Sequence, residues 1–230
     1  MSYLWQEFNI KTFVAETLVF RDGEYCEELS EYENIDFDKT SNSISVNKTP
    51  KIPVHIIYIG NVSGDINFDI NINAPDVKMV LDIRTVNKLP TFLNISVKNS
   101  GINSVFDCQI VDKNQNNLKI NIKAQHLVEN TSIFAKTRVA AYKNTVTDLQ
   151  GLAKIEKNAI NANSDISFSV MADKDAKIIM KPTQYINAVP ENAKHSSALY
   201  KPDENQVTYL RESGLGTIEV KQVLEEAFLE

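Results

Sequence analysis

The chain has 230 residues, 43% hydrophobic and 23% charged, enough to bury a core as one domain or as a domain with an appendage. Its formal net charge of -6 comes without any run of Lys or Arg, which argues against a nucleic-acid partner. No apolar stretch approaches the roughly 20 residues needed to cross a bilayer, and Met1 to Glu7 lacks a basic region followed by an apolar run. The expected location is therefore the cytoplasm, with no membrane partner. Cys26 and Cys108 lie far apart and form no CxxC pair, so they read as buried small apolar side chains and not as a disulfide or metal set.

Residues 1–50 read as an irregular β segment. Phe13 to Phe20 and Glu24 to Leu29 flank Arg21-Asp22-Gly23, a short-hairpin signal because Gly accepts positive φ. The acidic run Glu24, Glu27, Glu28, Glu31 and Glu33 reads as a solvated face. Ile52 to Ile59 follows as a strand with prolines at its start, and His55 within it reads as a core or edge histidine.

From Gly64 the alternation is clean: Ile66, Phe68, Ile70 and Ile72 form one row and Asp65, Asn67, Asp69 and Asn71 the other, so the first row is expected inside. Similar strands recur at 77–86, 92–98, 105–111, 118–123, 132–142, 152–155, 166–171 and 176–180. Asn- and Asp-rich corners such as Lys113 to Asn117 and Asn158 to Asp165 separate them. Such a series allows a sandwich, an up-and-down barrel or a parallel β-solenoid. The Asn-rich turns, the β-branched inward positions and the unbroken run into the C-terminus favour the solenoid, over residues 50–195.

The period then changes to a helical one in the segment 196–230. Asp203 followed by Gln206 suggests an N-cap, Gly214 a helix stop and Thr217 a second N-cap, which together give a short helical hairpin. Val220, Val223, Leu224, Ala227 and Phe228 make an apolar stripe on the second helix.

The residues His195, Ser196, Ser197 and Ala198, then Gln206, Tyr209, Leu210, Arg211, Gly214 and Leu215, and finally Ala227 and Phe228 carry a resemblance. With Met171 to Ala176 and Pro182 upstream, the end of the chain resembles the C-terminus of the SufB/SufD family, the scaffolds of the Suf iron-sulfur cluster assembly system. The resemblance implies a right-handed parallel β-helix with a short C-terminal helical hairpin, in a short single-domain member without a large N-terminal extension. It implies a scaffold and not an enzyme. Its partners would be a Suf-type ABC ATPase (SufC-like) and a second SufB/SufD-like chain, in a homo- or heterodimer. An iron-sulfur cluster would be held only transiently, in the complex.

For the site, the resemblance singles out His195 as a metal ligand shared with a partner chain, since imidazole ligates iron through one nitrogen. A SufB-type chain carries Glu directly after that His and Cys on the upstream strand, where this chain has Ser196 and Ser167. A neutral hydroxyl is a poor substitute for thiolate toward iron. Leu224, Ala227 and Phe228 are the candidate ATPase-docking residues, and the same stripe serves equally as a seal on the β domain. His126 and Tyr142 read as packing. Two other readings stay open at the level of sequence, a general β-solenoid binding module and a carbohydrate-active β-helix enzyme.

Overall fold

The computed structural model describes residues 16–230. The expectations for Met1 to Glu7 and for the first residues of the Phe13 strand lie outside that range. The N-terminal part contains β1 (Thr17–Arg21), β2 (Glu24–Tyr25), β3 (Asp36–Asp38) and β4 (Ser43–Val46). Two long strands follow, β5 (Val54–Ile72) and β6 (Lys78–Asn99). Five strands of ten residues come next: β7 (Val105–Asn114), β8 (Asn117–His126), β9 (Ser132–Ala141), β10 (Val146–Ile155) and β11 (Asn163–Ala172). The chain ends in β12 (Lys177–Ile186), β13 (Asn192–Tyr200), α1 (Glu204–Glu212) and α2 (Thr217–Leu229).

These strands wind into a parallel β-solenoid of about 6 turns. Both long strands serve two faces: the first half of β6 pairs with β7 and the second half with β8, all parallel. From there one face continues β7-β9-β11-β13 and the other β8-β10-β12. Period-two alternation decides what goes inside. Ile66, Phe68, Ile70 and Ile72 are all buried, as their alternation requires, and stack on Leu93, Ile95 and Val97 of the next turn.

The corners show why Asn and Asp crowd this sequence. Asp76, Asn103, Asn130 and Asn161 repeat at one corner, and Asn144 and Asp175 at the other, all with φ between 55° and 71°. Short side chains that bond locally tolerate this left-handed conformation. They also bond along the stack, Asn103 Nδ2 donating to Asp76 Oδ1 at 3.2 Å. The Asp22-Gly23 hairpin forms as read, with positive φ at both residues and β1 and β2 antiparallel. Gly151 lies on the inward row of β10 where Ile166 and Phe168 press closest, and an added Cβ would sit 2.8 Å from Ile166 Cγ2.

Three local expectations need correction. The strands read separately at 52–59 and 66–72, and at 77–86 and 92–98, are continuous through their corners as β5 and β6. β13 carries the solenoid through Tyr200, so helix begins only at Glu204. The cap of α2 is Gly216 and not Thr217, its N–H donating to Glu219 Oε2 at 2.6 Å. Asp203 caps α1 as expected, accepting from Asn205 N. Gly214, at φ 94°, ends α1 in a Schellman pattern, with Leu215 N bonded to Leu210 O and Gly214 N to Arg211 O.

Candidate functional site

Two regions hold the residues singled out from sequence. The first is the last rung of the solenoid. The outer edges of β12 and β13 pair with no strand among the described residues, whereas β1 and β4 at the other end are covered by antiparallel β2 and β3. The edge of β11 is closed, because β13 pairs along it from Asn163 to Met171, so the open edges at this end are those of β12 and β13. Around these edges Tyr185, Ile186, Val189 and Leu199 are exposed by 45 to 76%.

His195 sits in the middle of β13, exposed and in register with buried Ile166. It therefore belongs to the inward row of a rung that nothing in the described chain covers. Ser167 and Ser196 are register partners of each other on β11 and β13, on the alternate row. The two positions where, by the resemblance, a SufB-type chain carries Cys and Glu thus adjoin across one strand pair. Among the described residues no group of three or more His, Cys, Asp or Glu side chains is arranged to hold a metal ion. Imidazole and two hydroxyls supply one borderline transition-metal ligand and no thiolate.

The second region is the corner beside β9, where α2 packs. Leu224 and Leu229 are buried there, Leu229 against Val111 and Ala140. Phe228 is half-buried and stacks on Tyr200, ring centroids 5.1 Å apart. Leu224 and Phe228 therefore face the solenoid, and only Ala227 of the three anticipated docking residues is exposed. The outward apolar positions are instead Ile218, Val223 and, on α1, Tyr209, exposed by 75, 41 and 70%.

An ionic clamp beneath α2 escaped the sequence reading. Lys113 Nζ meets Glu225 Oε1 at 2.9 Å, with side chains only 11 and 7% exposed. Tyr142 Oη donates to the same carboxylate at 2.8 Å, and burial followed by that hydrogen bond drives its phenol pKa up. Lys221 bonds Asp173 at 2.7 Å and lies over the Tyr142 ring. Glu225 lies beside the apolar stripe, one residue from Leu224, and no local pattern in the sequence pairs it with Lys113.

The other candidates are structural. His126 is fully buried with Nδ1 on Thr131 Oγ1 at 2.9 Å, and burial lowers its pKa to about 4. Burial lowers the His55 imidazole as well. Cys108 lies in the core, where burial pushes its thiol up, while Cys26 is only half-buried, and both are free thiols. No helix among the described residues is long and apolar enough to cross a membrane.

A search of curated proteins finds no match to the chain. A family model, the SufBD core domain of SUF system FeS cluster assembly, matches residues 85–228. That span starts in β6 and takes in the rest of the solenoid, the last rung, the clamp and both helices, well beyond the C-terminal quarter that carried the resemblance. It covers more than half of the 230 residues. The chain belongs to the SufB/SufD family of iron-sulfur cluster assembly proteins.

Proposed function

We propose that this chain is a scaffold subunit that acts only in a complex, pairing with a second SufB/SufD-like chain through its last rung and docking a SufC-like ABC ATPase through its C-terminal helices. The observation that carries this reading is the open end of the solenoid. Two strand edges of nine and ten residues stand unpaired among the described residues, with exposed Tyr185, Ile186 and Leu199 beside them. Such edges bind other chains, and native proteins cover or blunt them. Partner strands there would bring new ligands to His195. Its own surroundings offer hydroxyls, so an iron-sulfur cluster, the cargo of the system, would be held between subunits and only transiently.

The helical corner suits the ATPase. α1 has no buried residue and packs on α2, so Tyr209, Ile218, Val223 and Ala227 stay free for a groove in a partner. ATP hydrolysis belongs to that partner, and this chain is not itself an enzyme in this reading.

Light scattering across the micromolar range tests the pairing, and co-purification with a Suf-type ATPase tests the docking. Leu199→Asp with Tyr185→Glu should weaken self- or hetero-association at least tenfold and leave ATPase binding intact. Ile218→Asp with Val223→Asp should do the reverse. A chain that stays monomeric, alone or mixed with a second SufB/SufD-like chain, and that captures no ATPase defeats the proposal.

A further inference from the structure

Beside one corner of the solenoid the outward row opens into a cleft. Asn61 on β5, Val86 on β6 and Lys113 on β7 are register partners there, so their side chains stand side by side on three successive turns. Arg21 at the end of β1 and Lys88, where β6 rounds the corner, line the same space. It holds about 830 Å³, within the range of sites for small organic ligands.

Both walls are fixed by contacts within the chain. On one side the hairpin of β1 and β2 is pinned to β5, Asp22 N donating to Ile59 O at 2.9 Å and Asn61 N to Asp22 Oδ1 at 2.7 Å. Gly60 permits that approach, because an added Cβ would collide with Asp22 Oδ1. On the other side Lys113 and Tyr142 are held by Glu225 of α2.

The charge between these walls is one-sided. Arg21, Lys88 and Lys113 line the cleft, and Asp22 is the one acidic residue beside them, in a chain whose net charge is -6. The Asp22 carboxylate already accepts from Asn61, and Lys113 is engaged by Glu225. Arg21 and Lys88 are exposed and enter no salt bridge among the described residues. Glu24 pairs with Arg21 across the hairpin but does not line the cleft. Cations gathered in a concave site concentrate anions there. A guanidinium meets phosphate through parallel N–H groups, an ammonium as a point charge.

We propose that this cleft is a binding site for a phosphate-bearing small molecule, with Arg21 and Lys88 on the phosphate oxygens and Ile59 and Val86 under an apolar body. An organic phosphate and inorganic pyrophosphate share that charge and differ in the body. The site lies within one chain and stands apart from the assembly role.

Isothermal titration calorimetry of the full chain tests it, with ADP, adenosine and pyrophosphate as probes and no divalent cation. Binding of ADP should saturate at one site and weaken at least about tenfold in Arg21→Ala and in Lys88→Ala, each of which removes a charge-assisted hydrogen bond. Lys123→Ala takes away an exposed lysine of β8 outside the cleft, and in about 0.1 M salt, which screens charges beyond about 10 Å, it should change affinity by less than about twofold. ADP binding tighter than pyrophosphate assigns the site to organic phosphates, and pyrophosphate binding as tightly or tighter assigns it to inorganic ones. No saturable binding of either phosphate, adenosine binding as tightly as ADP, or a loss in Lys123→Ala equal to that in Arg21→Ala overturns the inference.

Discussion

The clamp under α2 makes a sharp mechanical prediction. Glu225→Ala removes the carboxylate from a pair whose Lys113 side chain is only 11% exposed, and it also leaves the Tyr142 hydroxyl unbonded. Breaking one side of a buried pair costs about 3 to 5 kcal/mol. The cost has a ceiling, because Lys113 lies outside the solenoid core and regains water as soon as α2 lifts away. The substitution should therefore undock α2 and spare the solenoid. Amide hydrogen exchange read by mass spectrometry should show protection over Thr217–Leu229 falling at least about a hundredfold, at about 1.4 kcal/mol per tenfold. Amides in the core of β7 and β9 should keep theirs. Lys221→Ala is the control: its pair with Asp173 is 42 and 28% exposed and is worth about 1 kcal/mol or less, under about tenfold in exchange. Lys113→Met combined with Glu225→Leu should restore protection, since an apolar pair of similar volume needs no partner. Unchanged exchange in α2 after Glu225→Ala, or a uniform loss across all strands, refutes the account.

Phe228→Ala should cost about 2 kcal/mol, roughly half of a fully buried Phe plus a ring stack, seen as faster exchange in α2 and at the Tyr200 end of β13. Asp112 and His126 predict opposite pH dependences. The folded chain holds the Asp112 proton up to about pH 7 against an ordinary 3.8, so stability falls by up to about 4 kcal/mol as pH rises between those values, and Asp112→Asn removes that slope in thermal melts. The other polar residues lining the cavity beside it, Tyr58, Thr85 and Thr91, carry no charge at neutral pH. His126 is held neutral down to about pH 4 against an ordinary 6.5, so stability is lost as pH falls through that window, and His126→Gln removes that slope. Between about pH 4 and 6.5 the two effects oppose, and the separate slopes emerge only in the variants.

Legibility in the sequence followed burial. The rows in β5, β6 and β8 could be read because each second residue meets the core and must be apolar, whereas the Asn and Asp corners announced themselves by tolerating left-handed φ. β13 was missed for the same physical reason. It is the last rung, so Lys194, His195, Ser196 and Ser197 are all exposed and carry no alternation, although they pair in register with β11. The stripe on α2 was visible, but its direction was not. A helix of this kind has one apolar sector, and Leu224 and Leu229 show that the sector is taken by the solenoid, which leaves Ile218 and Val223 outside. The Lys113–Glu225 pair joins residues more than a hundred positions apart, beyond the reach of any local pattern.

The chain finishes its two ends differently. At the N-terminal end β2 and β3 turn back antiparallel over β1 and β4, and Phe20, Tyr25, Phe37, Tyr58 and Phe68 interlock with ring centroids 4.9 to 6.1 Å apart. At the C-terminal end two helices are available that could have lain across the last rung. α2 is instead fastened to the side, at the corner of β9, by a buried ion pair. An amphipathic helix placed over the end would have removed the edge hazard at little cost, so the placement at the side keeps that end clear. In the proposed assembly, pairing and ATPase docking use different surfaces and need not compete. They meet at Tyr200, which ends β13 and stacks on Phe228 of α2. A force that shifts α2 would therefore reach the strand carrying His195 through a ring contact five residues away from it.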